Sequence, residues 1–203
     1  MLYSIVNDPD ITASEMNHDL DIISKWAYQW KMVFNPEPTK QATEVLFFQK
    51  IHSICNPPLF FNNTLVLRND YHKHLGIILD SKLTFSHHIN EKVNTANKLT
   101  GILRYLSKYL PLPTLSQIYK MFIRPHLDYG DVLYHIPHSL NPFDSTISLH
   151  PLMARIERVQ YQAALAITGC WKGSNQNALY EELGWDTLSD RRWVRRLTYL
   201  YKI

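Results

Sequence analysis

Seven apolar residues, Ile89, Val93, Ala96, Leu99, Leu103, Leu106 and Leu110, follow one another at steps of four, three, three, four, three and four. That spacing lays them along one stripe of an α-helix about six turns long. A stripe of this length cannot stay in water, so the chain after it must supply partners. Three later segments carry helical spacing: Leu115, Ile118, Tyr119 and Phe122; Leu152, Ile156, Val159, Ala163 and Ile167, closed by Gly169; and Leu188 to Leu200, with Arg191, Arg192, Arg195 and Arg196 on it. A short helix over 178–183 ends at Gly184, the usual residue for a left-handed helix terminus. Pro111 and Pro113 end the long helix, Thr114 caps the next, and Pro125 breaks or kinks it before a helical resumption around Gly130.

The first third reads differently. Leu2 to Val6 is a short strand and Asn7 to Asp10 a turn. Met16, Leu20, Ile23, Ala27 and Trp30 then define an amphipathic helix of about four turns, capped by Thr12 or Ser14 and ended at Asn35-Pro36. Strands are predicted at Val45–Phe48 and at 65–67 after an Asn62-Asn63 turn. In 71–89, Leu75, Ile77 and Leu79 alternate with Gly76 and Ile78 as in a buried or half-buried strand, and Gly76 marks a turn or a close approach by another backbone or a ligand. The fold class is therefore α+β: a partial antiparallel sheet packed by one helix, then an all-helical region.

Few chemistries fit this composition. With 45% hydrophobic residues the chain is not disordered. Two cysteines, Cys55 and Cys170, cannot build a disulfide framework or a cysteine-rich zinc site, and an intracellular location, nuclear or cytoplasmic, is expected. No apolar run spans a membrane. Six glycines include no phosphate-cradling loop, and no Gly-x-Ser-x-Gly occurs. His72 with His74, and His87 beside His88, fit no zinc pattern. Asp128 and Asp131 admit two readings: a divalent-cation pair, or partners of nearby cations in a helical hairpin. The charge is uneven. Residues 1–30 are acidic, whereas 86–125 carry Lys92, Lys98, Arg104, Lys108, Lys120 and Arg124 against Glu91. Lys73, Lys82 and the 86–125 cations interleave with Tyr71, Phe85, Tyr105 and Tyr109, which fits either a surface tracking a nucleic-acid backbone or a solvated helix face.

Four segments occur in a diagnostic order: LDIISKWAYQWKMVFNPEPTK (20–40), KHLGIILDSKLTFSHHI (73–89), FIRPHLDYGDVLY (122–134) and LYEELGWDTLSDRRWVRRL (179–197). Together they resemble the reverse transcriptases of non-LTR, LINE-type, jockey-like retrotransposons. The resemblance implies an RNA-directed DNA polymerase fragment with three regions: 1–85, part of the palm with the primer-grip hairpin; 86–135, the helical thumb; and 136–203, a truncated helical post-thumb region. In that family three aspartates hold the catalytic metals, two of them in a hairpin just before a strand such as Leu2 to Val6. The resemblance therefore implies a chain without those carboxylates, with no catalytic residue beyond an accessory Lys40, no metal site and no cofactor of its own. Mg2+ serves the intact family enzyme, and without carboxylates to hold it no polymerase activity is expected.

The resemblance further implies roles for single residues. Lys40 is similar to the lysine of the fourth palm motif, though Pro38-Thr39 interrupt the familiar Asn-Pro-x-Lys-Thr spacing. The stretch His74 to Asp80 looks like the primer grip, with Lys73, Gly76 and Lys82 at the primer, and Lys92, Lys98, Arg104 and Lys108 follow on the thumb helix. The implied partner is a template–primer duplex, RNA–DNA or DNA, with no membrane and no small-molecule substrate. A domesticated nucleic-acid-binding protein and a purely structural helical protein remain alternatives.

Overall fold

The computed structural model describes residues 8–34, 44–45, 58–134 and 150–202. The chain divides into two compact units, Met1–Thr84 and Phe85–Ile203. The expected strands at Leu2–Val6 and over most of Val45–Phe48, and Lys40, lie outside the described residues.

In the first unit, helix α1 (Pro9–Gln29) begins before either expected cap, Thr12 or Ser14. Asp8, not Thr12 or Ser14, is its cap: the carboxylate accepts from the amides of Asp10 (3.0 Å) and Ile11 (3.2 Å). Pro9 takes the first helical position, where its missing N–H costs nothing. The helix also stops seven residues before Pro36. Lys31 sits at φ +54°, and the amides of Lys31 and Met32 return to the carbonyls of Tyr28 and Ala27. This is a Schellman terminus with lysine where glycine is usual, which is why sequence gave no stop signal.

Strands β1 (Glu44–Val45), β2 (Phe60–Phe61), β3 (Thr64–Leu65), β4 (Leu67–Arg68), β5 (Tyr71–His74) and β6 (Ile77–Asp80) pair two by two. β2–β3 and β5–β6 are antiparallel hairpins, while β1 pairs with β4 in parallel. Asn62 (φ +49°) and Asn63 (φ +60°) form the β2–β3 turn as expected, both in the left-handed region that a two-residue hairpin loop needs. Leu59, Phe61 and Val66 bury against Ala13, with Met16, Leu20 and Ile23 of α1 packed around them. The Asn17 side chain ties helix to hairpin, accepting from the Phe60 amide (2.8 Å) and donating to the Pro58 carbonyl.

The second unit consists of α2 (Ser86–Leu106), α3 (Leu112–Ile118), a π-helical turn (Tyr119–Ile123), α4 (Arg124–Asp128), α5 (Asp131–Tyr134), α6 (Pro151–Thr168), α7 (Gln176–Leu183) and α8 (Leu188–Tyr201). The predicted stripe of α2 is buried at Ile89, Val93, Ala96 and Leu103, with Leu99, Leu106 and Leu110 half-buried beside them. Its main partner is α6, whose Met153, Ile156, Val159, Ala163 and Ile167 face the same core. That core continues through 150–202, so the helices on either side of 135 share one set of apolar contacts. Truncating a fully buried residue such as Leu103 costs about 2–5 kcal/mol.

The middle helix departs from expectation. Leu115, Tyr119, Ile123 and Leu127 are its buried apolar residues, whereas Phe122 is exposed. Pro125 does not break it, because the π-turn just before allows the Arg124 amide to reach back to the Tyr119 carbonyl. Tyr119 donates to Gln160 (2.6 Å) and stacks on Trp185 at 4.1 Å, and the Trp185 indole donates to Ser116 (3.0 Å).

Glu157 is a buried carboxylate of this core. Its carboxylate accepts from the Tyr180 hydroxyl of α7 (3.1 Å) and the Leu188 amide that opens α8 (3.1 Å). Burial raises its pKa above the ordinary 4.5, although the Arg192 charge and these donors pull the other way. The folded state therefore holds this proton more tightly than the unfolded chain, and the unit loses stability as pH rises from about 4.5. Glu157→Gln is expected to flatten that decline, read as denaturant midpoints across pH; an unchanged slope would assign it to other groups.

Candidate nucleic-acid interface

The β5–β6 hairpin is built around its two-residue turn. Leu75 (φ +47°) and Gly76 (φ +79°) form it, and Tyr71, His72, Lys73 and His74 pair with Asp80, Leu79, Ile78 and Ile77. Gly76 is thus explained by the turn itself, with a strand ending at it and a second apolar run following as β6. Leu75, in a conformation that disfavours branched side chains, projects 79% exposed at the tip. Lys73 lies on the exposed face of β5 with Tyr71, while His72 and His74 share the other, their rings 6.3 Å apart. Beyond β6, Asp80 accepts from the amides of Lys82 (3.1 Å) and Thr84 (3.0 Å) and from the Thr84 hydroxyl (3.2 Å), so the exposed Lys82 sits on a fixed turn.

On α2 the four expected cations do not share a stripe. Successive residues are about 100° apart around a helix, so Lys92, Lys98 and Arg104, six apart, point in three directions. Lys92 is half-buried, its ammonium 4.8 Å from the centre of the Tyr129 ring, a cation–π contact within its own unit. Arg104 is exposed on the opposite flank of the buried stripe. Lys98 faces outward, and α2 ends at Leu106, so Lys108 lies in the turn that follows and not on the helix.

The outward stripe is Asn94, Lys98, Gly101 and Tyr105, at steps of four, three and four, and all are exposed. Tyr109 continues it, its ring centroid 5.5 Å from that of Tyr105. The tyrosines are 60% and 68% exposed, with Ile102 beside them. Glycine in mid-helix is unfavourable, and a Cβ at Gly101 would meet no atom within 4 Å, so nothing among the described residues requires it. It leaves a shallow place between Lys98 and Tyr105 where a partner backbone can come close. Sequence reading passed over Gly101; an exposed glycine on the back of a strong apolar stripe was the available signal.

Asp128 and Asp131 face arginines. Asp128 lies 3.0 Å from Arg195, 3.3 Å from Arg191 and 3.9 Å from Arg124, and Asp131 is ion-paired with Arg195. Burial raises the Asp131 pKa even so, while Arg195 is held charged by both carboxylates. Among the described residues no three His, Cys, Asp or Glu side chains converge on a metal position. Carboxylates already neutralised by guanidinium groups do not fit a magnesium ion. Of the α8 arginines named from sequence, Arg192 is buried beside Met153, and Arg191 and Arg195 hold Asp128. The charge of the whole unit is still positive: 85–203 contain 14 lysines and arginines against 9 aspartates and glutamates, while 1–84 contain 7 against 9.

A chain with this α+β fold, a basic helical unit and these four motifs is similar to RNA-directed DNA polymerases of mobile elements. A probable RNA-directed DNA polymerase from transposon X-element of Drosophila melanogaster is 28% identical over 170 residues, covering 82% of this chain and 17% of that protein. Those from mobile element jockey are 32% identical over 126 residues in D. melanogaster and 31% over 121 in D. funebris, covering 61% and 58% of this chain and 13% of each relative. The chain thus spans less than a fifth of the curated relatives it matches. The relatives and the motif resemblance agree. No protein-family model matches the chain, and no solved structure does.

Gly101→Ala is expected to raise stability by about 0.5–1 kcal/mol, seen as a higher denaturant midpoint with unchanged slope. A loss of stability would mean that the glycine serves the fold and not the surface.

Proposed function

We propose that this chain is a template–primer-binding segment of an RNA-directed DNA polymerase of a jockey-like non-LTR retrotransposon, working inside the cell in nucleus or cytoplasm. The observation that carries the reading is the outward face of α2. A lysine, a glycine and two tyrosines whose rings touch at a tilt lie in line on a unit of positive net charge. Cations tracking phosphates, with a shallow position for the backbone, suit a duplex lying along the helix. In this reading Lys98 and Lys108 meet phosphates, and Arg104 borders the face. Lys92 turns toward the duplex only by leaving Tyr129. The hairpin residues Lys73, Gly76 and Lys82 serve the primer end, and Lys40 is an accessory group. Regions 1–85, 86–135 and 136–203 correspond to partial palm, thumb and post-thumb.

No nucleotide-transfer step is assigned to the described residues, because their acidic pair is committed to arginines. No helix among the described residues is long and apolar enough to cross a membrane.

Binding of a blunt RNA–DNA duplex, followed by fluorescence anisotropy across a salt series, tests the proposal. Lys98→Glu with Lys108→Glu is expected to weaken binding about ten-fold or more at low salt and to reduce the salt slope by roughly 2. Absence of duplex binding by the parent chain at low salt would sink the reading and leave a structural role.

A further inference from the structure

The second unit hides two of its three tryptophans and displays the third. Trp185 is buried and hydrogen-bonded and Trp193 is half-buried, but Trp171, in the loop between α6 and α7, is 88% exposed. That loop is pinned. The Tyr161 hydroxyl accepts from the Gly173 amide (3.1 Å) and donates to the Ser174 carbonyl (3.0 Å). The Trp171 carbonyl accepts from both the Ser174 amide (3.1 Å) and the Ser174 hydroxyl (2.8 Å). Gly173 makes the turn at φ +98°, and Asn175 caps α7 directly after it. A slack loop would let an indole fold down onto apolar surface; this one fixes the backbone directly after Trp171, and the ring stands in solvent.

The surroundings indicate what the ring meets. Lys172 is its exposed neighbour, and Arg158, also exposed, lies one turn before the anchoring Tyr161 on α6. An exposed aromatic ring with a lysine next to it, on a unit of positive net charge, suits stacking of an unpaired base while phosphates are neutralised. A backbone already fixed beside the ring loses little freedom on binding. A paired duplex offers no free base face along its length, so this contact differs in kind from the α2 face.

We infer that Trp171 is a stacking platform for an unpaired base of single-stranded nucleic acid, with Lys172 and Arg158 on the adjoining phosphates. The inference rests on the proposed function only for the class of polymer, and adds a site for its unpaired part.

The test uses the full chain, a fluorescein-labelled unstructured uridine oligonucleotide and, separately, the blunt RNA–DNA duplex. Trp171→Ala should weaken oligonucleotide binding about ten-fold or more, the range for losing one base–aromatic stack, with its salt slope unchanged. Trp171→Tyr should restore most of the affinity, and Lys172→Ala should lower the slope by about 0.7. Duplex binding should be unaffected by Trp171→Ala, and the melting curve should not move, because the ring is exposed. Oligonucleotide binding that is absent in the parent, or equal in parent and Trp171→Ala, would overturn the inference. So would a Trp171→Ala loss shared equally by the duplex, or a Tyr variant as weak as Ala. Failure of the Lys98 and Lys108 variants to affect the duplex would count against the proposed function while leaving this result standing.

Discussion

The helical unit depends on a carboxylate that has left water. Glu157 receives a hydroxyl from α7 and the first amide of α8, and it lies on α6, the main partner of α2. A buried carboxylate is costly unless its lone pairs are filled and a counter-charge is near. Here the donors come from two other helices and the counter-charge from Arg192, so the anion is tolerable only when all three helices are in place. The apolar stripe makes α2 and α6 stick; Glu157 decides which arrangement of α7 and α8 goes with them. Gln160, one residue short of the next turn, adds a second polar tie, accepting from Tyr119 and donating to the Asp186 carbonyl.

This division explains what the sequence made legible. Long apolar periodicity is a local property, so α2, α6 and α8 could be read directly, as could the glycine ends of α6 at Gly169 and of α7 at Gly184. The Asn62-Asn63 turn was legible for the same reason, since asparagine tolerates the left-handed conformation. Features that depend on an unfavourable residue being outvoted were not. Lys31 ends α1 and Leu75 turns the hairpin, both in conformations where glycine or asparagine would be expected, because the flanking hydrogen bonds over-determine them.

The candidate interface shows a similar split. That α2 is basic could be counted, but which of its cations face outward could not, because that depends on where the partner helix lies. Lys92 is occupied by Tyr129, and Lys108 falls beyond the helix. The arginines of α8 look from sequence like the most basic surface of the chain. Two of them instead hold Asp128, whose position became meaningful only once α4 and α8 were brought together. Counting charge along a chain overstates the charge available to a polyanion wherever helices pair their own ions.

The wide turn at Tyr119–Ile123 sets the length of its segment. Leu115, Tyr119, Ile123 and Leu127 recur every fourth residue and all are 1% exposed or less. In an ordinary α-helix such a repeat slides about 40° around the axis at each step, and by the fourth member it has left the core. One extra residue in the turn takes up that slide. A chain shortened by one residue there would regain ordinary helical hydrogen bonding, yet it would swing Ile123 and Leu127 about 100° away from α2 and α6. The irregular turn is therefore what lets a four-residue rhythm serve a single apolar face.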